Sequence, residues 1–371
     1  MRKTIRNLVI KLFNKAIFNH ISKGYNILAK ERLQQIKLSY KKLTKSEVRQ
    51  IDLIFKNLNA KYTYDWHLFY KNVTGKFNPK FIPDDLFHGQ IESSLNPLLY
   101  LGVLDHKGLY QTILSFAIQP TTYINNVEGV YYNKSMECIT RSEAFEILIK
   151  EERFIIKPSI GSGGGSGVQL VELFTLSQIE KKDKINDLFN QYNSNYIVQE
   201  VVKQNEETKR FHPNSLNTIR IMSLFLNNNV TILSAVLRMG TDGRTVDNYC
   251  SGGILVGIDI LTGKLASHAI DIKIQKYFKS PSGIPFEGCV INSFDKIKEK
   301  VIEYHKQLPL TKIIAWDFAV TANNAIMFIE NNLAAPEIDF LQYFNGPLFG
   351  DRTEEVIEYV KNNPPKRLIY G

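Results

Sequence analysis

The chain has 371 residues, of which 44% are hydrophobic and 22% charged, so it can bury a large core without support from disulfides. Its net charge of +9 is uneven: residues 1–50 contain 13 Lys/Arg against Glu31 and Glu47, a net of +11, so residues 51–371 sum to −2. This distribution argues against a general nucleic-acid-binding surface and places the basic character at the N-terminus.

The cysteines and the hydropathy of the chain indicate the cellular compartment in which it works. Cys138, Cys250 and Cys289 have no metal-ligand spacing, and their odd number argues against a disulfide framework. No apolar run approaches the roughly 20 residues that span a bilayer. We therefore expect a reducing, cytoplasmic environment.

Residues 4–22 have the periodicity of an amphipathic helix. Two interpretations are open: a helix packed on the body of the protein, which we favour, or a helix lying on an anionic membrane surface through residues 1–22. In the second case the protein is peripheral at the inner face of the membrane. Residues 23–75 continue as helix, most clearly over 46–58. The predicted apolar face comprises Ile5, Leu8, Val9, Leu12, Phe13, Ala16, Ile17 and Ile21.

The middle of the chain alternates helix and strand patterns. Residues 76–125 mix Pro, Gly and apolar segments and predict a small α/β lobe, and 142–150 predict a helix. The segments that follow predict strand, glycine loop, strand, helix and strand, which together form a compact lid. These segments are 153–159, 161–167, 167–173, 177–192 and 195–202.

The glycine loop has five glycines between Gly161 and Gly167, directly after the strand that carries Lys157. A plain turn needs fewer residues. A Walker A loop does not fit because Val168 follows Gly167, and a dinucleotide fingerprint does not fit because Ser166 takes its last glycine position. A protein-kinase loop has its lysine downstream. Bare backbone next to a lysine therefore predicts a mobile phosphate cover of another type.

The C-terminal half is rich in predicted strands. Residues 217–226, 230–240 and 252–260 read as strands, and a helix is expected near 293–308. Strands at 312–320 and 325–332 and a last helix at 351–363 complete the chain.

Three polar residues converge on the hairpin around 321–324. If the turn centres near Asn323, Asp317 pairs close to Ile329 and Glu330, and Asn332 faces the same side as Glu330. Solvated polar residues at strand ends are the alternative. Two carboxylates and an amide at close range suit Mg²⁺ with room for phosphate oxygens, so the hairpin predicts a metal site.

Two arginines stand in apolar strands, Arg220 and Arg238. Leaving an arginine desolvated and alone is costly, and its guanidinium suits carboxylate or phosphate. A structural salt bridge is the alternative. The segment 246–257 adds a substrate-side candidate, which could present N–H donors to an oxyanion or form an ordinary turn. Its candidate residues are Asp247, Asn248, Gly252 and Gly253.

These features resemble the ATP-grasp superfamily over roughly residues 80–345. "IIKPSIGSGGGSGV" resembles its strand lysine and flexible phosphate loop, and "YIVQEVV" the hinge where adenine binds. The spacing from Asp317 to Glu330 to Asn332 matches its metal pattern, and "LDHKGLYQTIL" resembles the segment whose lysine, here Lys107, reaches a phosphate. "SLNTIRI" and "VDNYCSGG" are similar to members associated with sugar transfer and with capsule or teichuronopeptide synthesis.

The resemblance implies an α/β (α+β) ATP-grasp fold, in which two α+β lobes clasp ATP and a helical N-terminal extension precedes them. The implied divisions are 1–75, the basic extension; 76–130, an N-terminal lobe; 131–205, the lid; and 206–371, the subdomain with the metal site. The implied ATP-binding residues are Lys107, Lys157, Ser162, Gly163, Gly164, Gly165, Gln199, Glu200, Val201 and Val202.

The same resemblance implies a chemistry. It is an ATP- and Mg²⁺-dependent carboxylate–amine ligation through an acyl phosphate, on a uronic acid or other carboxylated sugar in surface polysaccharide synthesis. Ligase members commonly carry an arginine two residues before the metal aspartate, where Ala315 stands, so Arg220 or Arg238 is expected to take that role beside Lys157. The alternatives are a phosphotransferase of the same fold, or a nucleotide-binding, membrane-docking subunit without chemistry.

Overall fold

The computed structural model describes residues 2–36, 41–58, 60–161, 164–241 and 252–365. Two antiparallel sheets dominate it. Six strands form the lid sheet: β1 (Thr122–Val127), β2 (Val130–Tyr132), β3 (Cys138–Ile139), β4 (Arg153–Pro158), β5 (Gln169–Glu172) and β6 (Tyr196–Gln199). Seven form the main sheet: β7 (Thr218–Leu226), β8 (Asn229–Met239), β9 (Ile254–Ile258), β10 (Leu265–Ile270), β11 (Lys276–Tyr277), β12 (Ile313–Val320) and β13 (Ile326–Asn332).

The helices cover both sheets and build the N-terminal region. The strand order is β3-β2-β1-β6-β4-β5 in the lid and β11-β10-β9-β8-β7-β12-β13 in the main sheet. A π-helical stretch, Phe87–Ile91, joins the fourth and fifth helices. The helices are α1 (Arg2–Gln35), α2 (Lys45–Phe55), α3 (Asp65–Thr74), α4 (Asp84–Leu86), α5 (Glu92–Leu95), α6 (Leu98–Leu104), α7 (Tyr110–Ile113), α8 (Arg141–Leu148), α9 (Gln178–Tyr192), α10 (Glu206–Lys209), α11 (Phe294–Lys306), α12 (Asp339–Asn345) and α13 (Thr353–Asn362).

Three helices begin at the same local signal. Thr44, Thr140 and Ser177 each accept a hydrogen bond from the backbone N–H of a glutamate three residues on, whose side chain returns one to the cap. Such a capping box satisfies two backbone donors that a helix start leaves unpaired. It accounts for the starts of α2, α8 and α9.

The lid sheet and two helices enclose a core of their own. Its buried apolar residues run from Ile124 to Val198, and α8 and α9 pack on them. The chain enters and leaves this unit at adjacent points, since the N–H of Glu200 donates to the carbonyl of Thr121 at 2.9 Å and the Glu200 carboxylate accepts from the N–H of Thr121 at 2.8 Å. After Gln199 the chain crosses to the main sheet, where Gln204 bridges to Thr321.

The main sheet separates two apolar layers. One face packs Trp316 and Phe318 against α11, and the other packs Met222 and Val236 against α12 and α13. Arg220, Arg238 and Asp317 continue the second face toward the lid, because each is two residues from a member of that layer along its own strand.

The segment predicted as a separate α/β lobe at 76–130 has a different architecture. Residues 76–121 contain helices and turns, and within 76–130, all of which the structure describes, the only strands are β1 and the start of β2. These strands belong to the lid sheet, so the boundary expected at residue 130 falls inside that sheet. The mixed composition of 76–125 reflects short helices interrupted by Pro and Gly.

Helix α1 contacts the body through one side. Ala29 and Leu33 are buried, Ser22 Oγ donates to the carbonyl of Asp85, and Arg32 forms a buried ion pair with Asp339 at 2.8 Å. Val9 and Leu12 lie on the other side and are 57% and 59% exposed, and Ala16 is exposed as well. The favoured interpretation, in which the apolar face of residues 4–22 packs on the protein, is therefore wrong at these three positions. Among the described helices, none has the length and hydropathy to cross a bilayer.

Candidate active site

A cleft of about 610 Å³ opens between the lid and the main sheet. Its apolar walls come from both sides: Ile155 and Leu170 from the lid, and Leu216 and Ile329 from the main sheet and its loops. Among its polar lining residues are Lys107 and Lys157 together with Asp317 and Glu330. The cleft therefore offers both apolar surface and charged groups of either sign to a ligand.

Two lysines form the cationic side of the cleft. The N–H of Lys107 donates to the carbonyl of Ser159, which ties its turn to the strand end after Lys157, and Lys107 Nζ lies 3.5 Å from Glu330 Oε2. Burial lowers the pKa of Lys157 to about 8, while Glu330 opposes that shift and Lys107 adds to it. Both lysines therefore stand where a phosphate would stabilise their charge.

The glycine loop begins two residues after β4. Gly164 and Gly165 have φ of +71° and +72°, and Gly167 has φ of +71° with a Cβ position only 2.9 Å from the ring of Pro158. Residues that have a side chain rarely adopt a positive φ, so glycine is favoured where the loop folds back. Gly165 lines the cleft. Ser162 and Gly163, predicted to contact ATP, lie outside the described residues.

Strand register brings the acidic residues together as predicted. Asp317 pairs with Glu330 across the β12–β13 hairpin, and Phe318 pairs with Phe328. Ile329 is therefore the extra residue of a β-bulge, and it lines the cleft. Asn332 Nδ2 donates to Asp317 Oδ2 at 3.3 Å, so the hairpin holds two carboxylates and an amide side by side.

Asp317 is surrounded by arginines. Arg220, directly opposite it on β7, donates from Nε to Oδ1 at 2.9 Å and from Nη2 to Oδ2 at 2.8 Å, and Arg238 Nη1 donates to Oδ2 at 3.0 Å. Burial alone would raise the pKa of Asp317, but Arg220 and Arg238 hold that pKa well below its usual range. Both arginines thus form buried ion pairs with the aspartate, which is the salt bridge that the sequence left open as the alternative to a catalytic role.

The donor set fits a magnesium ion. Asp317, Glu330 and Asn332 supply side-chain oxygens from adjacent positions of one hairpin, which is the ligand type Mg²⁺ prefers. Asp317 Oδ1 accepts one N–H and has a second lone pair for a cation. No group of three or more His, Cys, Asp or Glu residues in the described part of the chain offers another site.

Most of the predicted residues gather at this cleft. Arg220 and Asn332 join it through their hydrogen bonds to Asp317. Gly164 lies in the loop above it. Gly252, whose carbonyl accepts from Thr241 Oγ1, and Gly253 are not among its lining residues, and Asp247 and Asn248 lie outside the described ranges. The predicted residues that line the cleft are Lys107, Lys157, Gly165, Gln199, Glu200, Val201, Val202, Arg238, Asp317 and Glu330.

Sequence reasoning missed two kinds of residue. Leu216 lines the cleft from a turn held by Gln204, whose amide donates to the carbonyl of Ser215 at 2.7 Å. Nothing in the turn-rich stretch around it signals a ligand contact. Glu337, in the loop after β13, reaches Arg220 Nη1 at 3.5 Å, and the acidic spacing that marks Asp317 and Glu330 does not extend to it.

A sequence model of the family described as sugar-transfer associated ATP-grasp matches residues 87–358. No curated protein matches the chain.

Solved structures are similar over part of their length. Biotin carboxylase from Campylobacter jejuni, in complex with β-γ-ATP, matches 73% of this chain and 48% of its own, at 14% identity and a TM-score of 0.41. The biotin carboxylase domain of Hydrogenobacter thermophilus 2-oxoglutarate carboxylase, with MgADP and bicarbonate, matches 73% of this chain and 47% of its own, at 14% identity and a TM-score of 0.42. D-Alanine–D-alanine ligase from Bacillus anthracis matches 72% of this chain and 71% of its own, at 12% identity and a TM-score of 0.39. The match spans about half the length of the first two.

Proposed function

Because the chain belongs to the sugar-transfer-associated ATP-grasp family, we propose that it is an ATP- and Mg²⁺-dependent carboxylate–amine ligase that works through an acyl phosphate. The observation that best supports this is the single cleft in which Lys107 and Lys157 stand together with Asp317 and Glu330. Cations for phosphate and oxygen ligands for a metal are within reach of one bound nucleotide.

ATP would occupy the cleft with its base between the apolar side chains of the walls. The Glu200 carboxylate and the backbone of Val201 and Val202 would bind the adenine edge, and Ile155 and Leu216 would flank the ring. Lys107 and Lys157 would bind phosphate oxygens, and the glycine loop would close over them and exclude water.

Asp317, Glu330 and Asn332 would hold Mg²⁺, which when bound offsets the negative charge of the phosphate oxygens. The substrate carboxylate would take its place by Arg220 and Arg238, whose guanidinium groups suit carboxylate and phosphoryl oxygens alike. Glu337 would orient Arg220 from the side opposite to Asp317.

Two displacements complete the proposed reaction. A carboxylate oxygen attacks the γ-phosphorus, the bond to the β–γ bridging oxygen breaks, and ADP leaves. An amine nitrogen then attacks the acyl carbon, the bond from that carbon to the phosphate oxygen breaks, and phosphate leaves as the nitrogen loses a proton. The arginines would stabilise the phosphoryl group during both displacements.

The family description names an association with sugar transfer; on that basis the proposed acid is a carboxylated sugar, such as a uronic acid, and the proposed setting is surface or capsular polysaccharide synthesis. The amine would be an amino acid or another amino compound. A cytoplasmic location, where ATP is supplied, is part of the same proposal.

The defining experiment supplies ATP, Mg²⁺ and a panel of uronic acids with hydroxylamine as a general amine trap. A ligase forms a hydroxamate of the accepted acid, together with stoichiometric ADP and phosphate. A phosphotransferase, the main alternative, would form ADP and a phosphorylated product that hydroxylamine does not convert. A non-catalytic nucleotide-binding subunit would bind ADP and release nothing.

The metal assignment has its own test. Glu330→Gln should raise the Mg²⁺ concentration needed for half-maximal ATP turnover by about tenfold or more, because it removes a charged ligand. The fold should persist, since the Glu330 side chain is 26% exposed and its ion pair with Lys107 is loose, at 3.5 Å. A magnesium titration of turnover, with a thermal melt, measures both.

Glu337→Gln is the matched control for that titration. It also neutralises a partly exposed carboxylate near Arg220, but Glu337 is outside the proposed metal set. Its magnesium requirement should stay that of the wild type, whatever its turnover. An equal shift in both variants would contradict the assignment of Glu330 as a ligand.

A further inference from the structure

Helix α1 carries an exposed stripe along most of its length. At about 100° per residue, the six side chains that define it fall, together with the exposed Gln34, within an arc of about 60°, opposite to Ala29 and Arg32 on the buried side. We define the exposed stripe by these residues, all exposed in the structure: Val9, Leu12, Ala16, Lys23, Ile27 and Lys30.

The composition of this stripe is that of an interfacial helix. Val9, Leu12 and Ile27 are each more than half exposed, whereas surface helices of water-soluble proteins usually turn such residues inward. Lysines at 23 and 30 stand among them. The stripe extends over 22 residues of helix, and its two ends are about 32 Å apart, so it could lie flat against a surface.

Charge selects the kind of surface. Helix α1 contains eight Lys/Arg and one acidic residue, Glu31, while residues 51–371 sum to −2. The positive charge is therefore confined to the end of the chain that presents the stripe, and it would draw that end toward an anionic surface.

We propose that the exposed stripe docks α1 flat on an anionic lipid bilayer, with its apolar side chains at the level of the headgroups and its lysines beside lipid phosphates. The proposal is independent of the ligase activity, because no stripe residue is in the candidate active site. Docking would hold the cleft close to the membrane surface, with no helix crossing it.

The test is co-sedimentation of the full chain with vesicles of phosphatidylcholine alone or of equal parts phosphatidylcholine and phosphatidylglycerol. We expect binding to the anionic vesicles only, and release at about 0.5 M salt, where charges are screened within a few ångströms. Leu12→Asp/Ile27→Asp and Lys23→Gln/Lys30→Gln should each weaken binding by about tenfold or more, with unchanged melting temperature and ATP turnover.

The matched control is Ile179→Asp/Leu261→Asp, two exposed apolar residues of the lid and main sheet, at 73% and 83% exposure. It should bind vesicles like the wild type. Failure to bind anionic vesicles, equal binding to neutral ones, or an equal loss in the control would overturn the proposal. So would self-association of the wild type that Leu12→Asp/Ile27→Asp abolishes, because the stripe would then be an interface between copies.

Discussion

Asp317→Asn is expected to abolish turnover and to destabilise the fold in the same step. The carboxylate holds Arg220 by two hydrogen bonds and Arg238 by a third, in a nearly inaccessible site. Removing one partner of such a group leaves buried charge uncompensated, which costs about 3–5 kcal/mol. ATP turnover should fall on the order of 1000-fold, since a metal ligand and the position of both arginines are lost.

Chemical denaturation and an ADP-release assay measure the two effects. Glu354→Gln serves as the stability control, because its ion pair with Lys80 is largely exposed and such pairs contribute less than about 1 kcal/mol. If Asp317→Asn melts like the wild type, the arginines do not depend on this carboxylate. If it turns over normally, Asp317 is not in the catalytic centre.

Lys157→Met is expected to weaken nucleotide binding and to lower turnover on the order of 100- to 1000-fold. The lysine is buried at the entrance of the glycine loop, where an uncharged side chain leaves phosphate oxygens without a partner. Lys182→Met, an exposed lysine of α9, should leave both properties unchanged.

The low pKa of Lys157 gives this residue a pH signature. The pKa of Lys157 is about 8 in the folded protein, against an ordinary value of 10.5. Between these two pH values the folded protein binds fewer protons at Lys157 than the unfolded chain does. The contribution of Lys157 to the free energy of unfolding therefore rises with pH across this window and is constant below it. A bound phosphate favours the charged form, so nucleotide binding takes up a proton above pH 8 and weakens as the pH rises.

Calorimetry of ADP binding between pH 7 and pH 9, in buffers of different ionisation enthalpy, detects that uptake. Lys157→Arg should keep the affinity but lose the part of the pH dependence that Lys157 causes, because a guanidinium stays charged. An unchanged pH profile in Lys157→Arg would show that another group takes up the proton.

Local pattern was enough to predict the β12–β13 hairpin and the part of the lid from β4 to β6, whereas β1 and the start of β2 fell outside the predicted lid. Strand alternation and a short turn bring Asp317 opposite Ile329 and Glu330, and the β-bulge at Ile329 then makes Glu330 its partner. Lys157 and the glycine loop are likewise neighbours in the chain. The position of Arg220 opposite Asp317 required the order of strands β7 and β12, which periodicity does not encode.

Other features depend on distant packing. The spacing of apolar residues was enough to recognise an apolar side of α1. It did not show which side the body of the protein covers, because the buried residues Ala29, Arg32 and Leu33, further along the same helix, determine that side. Residues 76–121 fold as short helices against the main sheet, and their broken pattern does not distinguish helices from strands. Leu216 reaches the cleft, and Glu337 reaches Arg220, through loops whose course is set by tertiary contacts.

The paired backbone of Thr121 and Glu200 makes the lid a cassette with neighbouring entry and exit points. Because its apolar interior is supplied by its own residues, that interior stays closed if the lid moves relative to the main sheet. Such a movement breaks only polar contacts at its edge, among them the hydrogen bonds from Lys107 to Ser159 and from Asn125 to Gln111, so the cost of opening the cleft is set by a few hydrogen bonds and not by the lid's core.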